Sequence, residues 1–273
     1  MKLASEQIAR LEDVAWEAGE RILAVYHSDD FDVQRKDDGS PLTRADKHAH
    51  EYIVDALNEL TPGLPILSEE TATVPFRVRR NWSTFWLVDP LDGTKEFIKG
   101  NGEFTVNIAL ITRHKPVFGV VVAPAIGVCY SGGSGCGAWR STRMGKRQVI
   151  KTKTYIGGPA VVVASRSHKG AGVEAFIEAL GKSEGQPIVT YMGSSLKICL
   201  VADGKAHVYP RFGPTSEWDT AAAHAVLSGA GGSVTDPCGH NLRYNKKSIV
   251  NPWFVASGAC VHHWSTCIPN RME

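Results

Sequence analysis

The sequence lacks a surplus of either charge: among its 273 residues, 30 Lys and Arg face 28 Asp and Glu, a formal net charge of +2. A protein held to nucleic acid through phosphate contacts carries a larger basic excess, so no nucleic-acid partner is expected. Aromatic residues are few at 8%, yet hydrophobic residues reach 43%, too many for a chain that stays disordered. No secretory leader is legible, because Lys2, Glu6, Arg10, Glu12 and Asp13 interrupt the start before any apolar stretch can form. A long hydrophobic run is missing too. The longest uncharged stretch, Pro116 to Trp139, holds two Pro and six Gly, which would break a spanning helix and read instead as strand, turn and strand. Cysteine is sparse and unpatterned: Cys129, Cys136, Cys199, Cys238, Cys260 and Cys267 include no Cys-x-x-Cys pair and no His partner at zinc-finger spacing. Reduced thiols in a cytoplasmic protein without an integral membrane segment are the expectation.

What is present is a chain long enough for one large domain or two lobes, with 27 Gly and 14 Pro for many tight turns. From Ala4 to Tyr26, Ile8, Leu11, Val14 or Ala15, Ala18, Ile22 and Val25 recur at helical steps. A second helix opens at Thr43, with Asp46 three positions on as in a capping box, and ends at Pro62-Gly63. Apolar runs at Leu64–Leu67, Thr84–Val88, Thr105–Ile111, Val117–Ala123, Val161–Ala164, Ala206–Tyr209 and Trp253–Ala256 read as strands. Helical spacing returns at Gly172–Leu180, Ser195–Ala202 and Thr220–Ala230. This alternation predicts layered helices and sheets. A soft boundary near Gly157-Gly158-Pro159 divides one catalytic domain, residues 1–273, into lobes of roughly 1–157 and 158–273.

The most informative stretch is Trp86-Leu87-Val88-Asp89-Pro90-Leu91-Asp92-Gly93-Thr94. A strand delivers Asp89 at its end, Pro90 stiffens the turn, and Gly93 lets a backbone approach closely. Two carboxylates that share a pocket repel unless one is protonated or a cation lies between them. Mg²⁺ takes such oxygen ligands and shares them with phosphate. Glu69-Glu70 follows another strand, where open α/β sheets place ligands, and Asp219 stands before a helix like an N-cap. Gly93-Thr94, at the start of a helix through Lys95, Glu96 and Phe97, offers N–H groups to an anion. Acids beside a phosphate seat point to phosphoryl chemistry.

Glu69-Glu70, Asp89-Pro90-Leu91-Asp92-Gly93-Thr94 and Trp218-Asp219-Thr220-Ala221-Ala222, in that order, resemble the lithium-sensitive, magnesium-dependent phosphatase superfamily of inositol monophosphatase and fructose-1,6-bisphosphatase. The likeness runs from about Val33 to Gly258. Lys95-Glu96-Phe97-Ile98-Lys99, Asn101 to Leu110, Gly193-Ser194-Ser195-Leu196-Lys197 and Tyr209 to Asp219 are most similar to the bacterial 3'(2'),5'-bisphosphate nucleotidases of that superfamily. Ala223, where the family often has Gly, and the tail from Val261 to Glu273 depart from the pattern. The resemblance implies an α-β-α-β-α sandwich, a layered α/β fold. It also implies hydrolysis of adenosine 3',5'-bisphosphate to AMP and phosphate, and of its sulfated analogue, by metal-activated water.

By the same resemblance, Glu69, Asp89, the carbonyl of Leu91, Asp92 and Asp219 would hold two or three Mg²⁺. Asp46, Thr94 and Glu69 would serve catalysis, the first two by positioning and helping to deprotonate the attacking water. Substrate would touch Glu69, Leu91, Asp92, Gly93, Thr94, Gly193, Ser194, Ser195, Lys197, Arg211 and Asp219, with Lys197 and Arg211 facing the 5'-phosphate. An inositol or other sugar phosphatase of the same superfamily is the alternative. Monomer and homodimer are both open, and the expected place is the cytoplasm, including the inner face of the membrane where some relatives sit. Other signals carry less. An aspartyl-phosphate enzyme uses Asp-x-Asp, whereas these acids are three apart. His48-x-His50 and His262-His263 read as surface, Arg77 to Arg80 as an exposed loop, and Gly132-Gly133-Ser134-Gly135 as a hairpin turn.

Overall fold

The structure is a computed structural model that describes residues 3–28, 34–35, 41–71, 74–167, 170–260 and 264–269. Helices α1 (Ser5–Tyr26) and α2 (Arg44–Leu60) open the chain, with the small ladder β1 (Gln34–Arg35) and β2 (Pro41–Leu42) between them. Leu11, Ala15, Ala18 and Ile22 in α1, and Ala49, Ile53 and Leu57 in α2, are buried as their spacing requires. α2 stops at Thr61, ahead of Pro62 and a Gly63 at φ 81°.

Seven strands follow in sequential order: β3 (Ile66–Ser68), β4 (Thr84–Asp92), β5 (Thr105–Thr112), β6 (Lys115–Ala123), β7 (Val128–Gly133), β8 (Gly137–Ser141) and β9 (Gln148–Val149). β3 runs parallel to β4 and the rest form an antiparallel meander. The uncharged stretch from Pro116 to Trp139 is therefore three strands, and the glycine run after Gly132 turns β7 into β8. Short helices α3 (Phe76–Arg79) and α4 (Thr94–Ile98) flank β4.

The second sheet joins β10 (Val161–Ser165), β11 (Ile188–Met192), β12 (Val208–Arg211), β13 (Ser233–Thr235) and β14 (Phe254–Ser257) in the order β11-β10-β12-β14-β13. Helices α5 (Ala171–Glu184), α6 (Leu196–Ala202) and α7 (Glu217–Gly229) connect them. The layers follow from which side chains share a core. Trp86 and Val88 of β4 pack with α1 and α2, while Phe85 and Leu87 face α6 and α7, as alternation along a strand demands. The core around α6 and α7 also takes Val163, Tyr209, Phe254 and Ala256 of the second sheet. Phe176 and Leu180 of α5 cover that sheet's other face with Trp264. Helices, sheet, helices, sheet and helix thus stack as an α-β-α-β-α sandwich. Among the described residues no helix is long and apolar enough to cross a membrane.

Two expectations change. Arg79 is not on an exposed loop: it is buried in α3 and donates to Asn245 Oδ1 at 2.9 Å and to the carbonyls of Lys246 and Lys247 at 2.6 and 3.0 Å. α7 begins at Glu217, three residues earlier than its apolar spacing suggests, because its first turn is held by polar groups.

Candidate active site

The alternation that points Phe85 and Leu87 at the middle helices carries Asp89 to the same face. Asp89 lies opposite Asn107 and Asp92 opposite Thr105, with a register shift between the two acids. That bulge brings both carboxylates to one side of the strand end. Leu91 N–H donates to Asp89 Oδ1 at 3.1 Å, and Thr94 Oγ1 donates to the Leu91 carbonyl at 3.3 Å. Glu69 begins the single turn after β3 and makes a side-chain hydrogen bond to Asp89.

Asp92 is held by donors from strand β5 and from the connection between β11 and α6. Its Oδ2 accepts from Ser195 N–H at 2.6 Å, Asn107 Nδ2 at 3.4 Å and Thr105 Oγ1 at 3.5 Å. Asp219 comes from α7, where its Oδ2 accepts the Ser216 N–H at 2.9 Å. Asp219 is thus the third residue of the helix and Ser216 is the cap, a correction to the N-cap reading.

These acids are electrostatically strained. Burial first, and then Glu69, Asp92 and Asp219, hold the Asp89 carboxyl well above the ordinary carboxylate range. Burial and then Asp92 do the same to Asp219. Asp92 is pushed up to about 6 by burial, with Lys197 and the Ser195 N–H opposing.

A cavity of about 270 Å³ collects them. Glu69, Asp89, Leu91, Asp92, Gly93, Thr94, Gly193, Ser194, Ser195, Lys197, Arg211 and Asp219 all line it. Asp46 does not line it. It is buried at the head of α2, and its Oδ2 accepts the N–H and hydroxyl of Thr43 at 2.7 and 2.6 Å.

The same cavity is lined by two buried cations. Lys197, in the first turn of α6, donates to the Ser194 carbonyl at 2.5 Å and lies 5.5 Å from the Tyr209 ring centroid. Burial lowers its ammonium to about 8, with Asp92 opposing and Arg211 adding to the fall. Arg211, ending β12, donates from Nη2 to the Pro214 carbonyl at 2.9 Å, while its buried Nε has no hydrogen-bond partner.

Other wall and support residues carried no sequence-level role. Glu103 accepts two bonds from Arg166, at 2.8 and 2.7 Å, and the Gly193 N–H at 2.7 Å. A Cβ on Gly193 would lie 2.7 Å from the Glu103 carbonyl oxygen, so the cavity wall can close there only on glycine. Thr105 and Asn107 share a strand face two residues apart, a signal that pairing β5 against β4 would have exposed. His50 is half-buried and lies 2.9 Å from Ser68 Oγ, and His262-His263 fall outside the described residues. Asp236, Cys238 and His240 do gather their side chains on the β13–β14 connection. Their turn accounts for it, since Asp236 Oδ1 accepts the N–H groups of Cys238 and His240, both at 2.9 Å.

A family model described as "Inositol monophosphatase family" matches residues 4–263. The 3'(2'),5'-bisphosphate nucleotidase CysQ of Escherichia coli K12 is 48% identical over 254 residues, spanning 92% of this chain and 98% of that protein. The CysQ of Haemophilus influenzae is 32% identical over 92% of both. Among solved structures, CysQ from Bacteroides thetaiotaomicron is 45% identical, with a TM-score of 0.81 over 93% of this chain and 97% of the other. Inositol monophosphatase from Anabaena shares the fold alone, at 23% identity and a TM-score of 0.72 over 96% of this chain and 95% of the other. Since sequence and fold agree over nearly the whole length, the chain belongs to the inositol monophosphatase family.

Proposed function

We propose that this chain is a magnesium-dependent 3'(2'),5'-bisphosphate nucleotidase that removes the 3'-phosphate of adenosine 3',5'-bisphosphate, and of its sulfated analogue, in the cytoplasm. The observation that carries the reading is one cavity that collects the acids together with the buried cations Lys197 and Arg211. A substrate with two phosphates answers both the metal-fitting acids and the cations, whereas a monophosphate leaves one set unanswered. The names of the close relatives point the same way.

The acids fit hard divalent cations. Asp89, Asp92 and Asp219 offer oxygen donors only, and each is driven toward its neutral form in the bare protein. A cation among them removes that penalty. Glu69, Asp89, the Leu91 carbonyl, Asp92 and Asp219 would hold two or three Mg²⁺. When bound, such ions lower the pKa of water and neutralise phosphate oxygens.

The chain's own groups do the rest. Gly93 N–H and Thr94 grip the scissile phosphate. Thr94 Oγ1, oriented by the Leu91 carbonyl, faces the water that attacks, and Asp46, which does not line the cavity, is a positioning residue for that water. Gly193, Ser194 and Ser195 close the floor, and Ser195 N–H and Asn107 fix Asp92 in one rotamer. Lys197 and Arg211 take the 5'-phosphate. Most of the rate then comes from positioning and electrostatics.

A phosphate-release panel tests this, with adenosine 3',5'-bisphosphate, its sulfated analogue, inositol 1-phosphate and fructose 1,6-bisphosphate at saturating Mg²⁺. The nucleotide bisphosphate is expected to have the highest kcat/KM. Preference for inositol 1-phosphate would overturn the assignment.

A further inference from the structure

One carboxylate joins loops that belong to the two different sheets. Glu103 stands in the connection that leads from α4 into β5, Arg166 directly follows β10, and Gly193 directly follows β11. Glu103 Oε2 accepts the Arg166 Nε–H at 2.8 Å and the Gly193 N–H at 2.7 Å, while Oε1 accepts from Arg166 Nη2 at 2.7 Å. Arg166 in turn donates from Nη2 to the Tyr191 carbonyl at 3.1 Å and from its N–H to the Met192 carbonyl at 3.3 Å. The first sheet is thereby pinned to two neighbouring strand ends of the second.

The two partners of Glu103 are unequal. Arg166 is 48% exposed, so its ion pair is screened by water and contributes little. Gly193 is buried, and its N–H depends on the Glu103 carboxylate; without it a buried donor is left unpaired. The next residue is strained. Ser194 has φ 44°, a left-handed conformation that serine adopts where its surroundings impose it. On its far side Ser195 Oγ lies 2.9 Å from Thr105 Oγ1 and donates to Asn107 Oδ1 at 2.8 Å, and Ser195 N–H donates to Asp92 Oδ2 at 2.6 Å. Ser194 is therefore stretched between two anchors. Release of the Glu103 anchor lets it relax and draws the Ser195 N–H away from Asp92.

We propose that Glu103 is a positioning residue of the reaction: through the Gly193 N–H it holds the β11–α6 turn in the strained form that aims Ser195 N–H at Asp92. The inference rests on the reading of the cavity as a divalent-cation site of a nucleotidase.

The test uses the whole protein. Glu103→Ala should weaken Mg²⁺ binding by the metal-free protein about 10- to 100-fold in calorimetric titration, as loss of support for a ligating carboxylate does. At saturating Mg²⁺ it should lower kcat for adenosine 3',5'-bisphosphate by a similar factor and change KM less. Glu103→Gln keeps an acceptor for the Gly193 N–H and should recover most of both losses. Lys99→Ala breaks a neighbouring tie between the same two sheets, the 2.8 Å bond from Lys99 Nζ to Ser167 Oγ, and should match wild type. Hydrogen exchange at the Ser195 amide, followed by NMR in chelator, should be about 10-fold faster in Glu103→Ala and unaltered in Lys99→Ala. Circular dichroism checks folding. If Glu103→Ala does not fold, Glu103→Asp, whose shorter side chain withdraws the carboxylate from Gly193, takes its place. Unchanged Ser195 exchange, equal impairment of the Gln and Ala variants, or losses of the same size in Lys99→Ala overturn the proposal. A wild type that binds no Mg²⁺ refutes the metal reading, and one that binds it without releasing phosphate refutes the nucleotidase reading. In either case the Ser195 amide still decides whether Glu103 holds the turn.

Discussion

Replacing Asp92 with Asn should make the metal-free protein more stable while abolishing its activity. The carboxyl is pushed up to about 6 from an ordinary 3.8, chiefly by burial. Two units correspond to about 3 kcal/mol. Asp92 keeps some contact with solvent, and the attraction of Lys197 is lost with the charge, so a net gain of about 1–2 kcal/mol is expected. Asn is nearly isosteric and its Oδ1 can still accept the Ser195 N–H that now reaches Oδ2 at 2.6 Å. The sign sets the pH window. The folded wild type holds a proton that the unfolded chain releases near 4, so its stability falls as pH rises from about 4 to about 6 and is level above. The gap between Asp92→Asn and wild type should open over that same interval. Chemical denaturation in chelator at pH 4, 5, 6 and 7.5 measures it, and a melting temperature higher by about 2–6 °C at pH 7.5 is the thermal counterpart. Added Mg²⁺ should raise the wild-type transition and leave the variant's in place. Phosphate release should drop by orders of magnitude. A variant clearly less stable than wild type in chelator would refute the electrostatic account, and near-normal turnover at saturating Mg²⁺ would remove Asp92 from the metal site.

Arg211→Ala should raise KM for adenosine 3',5'-bisphosphate by about 10- to 100-fold, the value of a charge-assisted pair, with a smaller effect on a monophosphate substrate; equal effects on both would take Arg211 out of phosphate discrimination. Glu217 is fully buried and accepts the Asn245 and Lys246 N–H groups and the Lys246 ammonium, at 2.6, 2.9 and 2.6 Å. Glu217→Ala should therefore cost about 3 kcal/mol, or about 6–9 °C in Tm, and an unshifted melting curve would show the network to be dispensable. His224 is buried against the Tyr244 hydroxyl at 2.9 Å, and burial lowers its imidazole to about 4. Its unfolded form takes up a proton near 6.5 that the folded form refuses, so this contribution is intact above about 6.5, declines as pH falls toward 4 and is level below. His224→Gln should flatten that decline relative to wild type in urea unfolding across pH 4–7, and parallel curves would assign the slope to other groups.

What was legible in the sequence was whatever a local pattern can encode. The faces of α1 and α2 follow from three- and four-residue spacing, and β4 from an apolar run that ends in two acids. β11 escaped because it is a sheet edge: Ile188, Thr190 and Tyr191 are exposed, so no alternation marks it. The start of α7 was missed because Glu217 looks like a loop residue until Asn245 and Lys246 are brought against it from elsewhere in the chain, and Asp219 looks like the cap itself. Arg79 misled for the same reason, since its acceptors lie more than 160 residues away. An apolar hollow lined by Val173, Phe212 and Trp253 was not legible for a third reason: its walls come from three separate segments, and only Phe212 lies in a string that the sequence singles out.

The placement of charge also explains how a strained site survives in a folded chain. Behind the wall, Arg79, Glu217 and Lys246 are densely satisfied, and they fix the first turn of α7 through Asn245 and the loop around it. In front, Asp219, two residues along the same turn from Glu217, sits among acids that resist ionisation. A rigid, fully bonded frame one layer behind keeps the acids from drifting apart to relieve their repulsion. The cost falls on the stability of the metal-free form, and the return, at the proposed metal site, would be a set of oxygens already in place for cations. Loosening the frame, as Glu217→Ala does, should therefore lower metal-free stability and, at the proposed metal site, Mg²⁺ affinity as well. By that logic the near-zero net charge of the chain averages two opposed populations, one paired within the protein and one left for ligands.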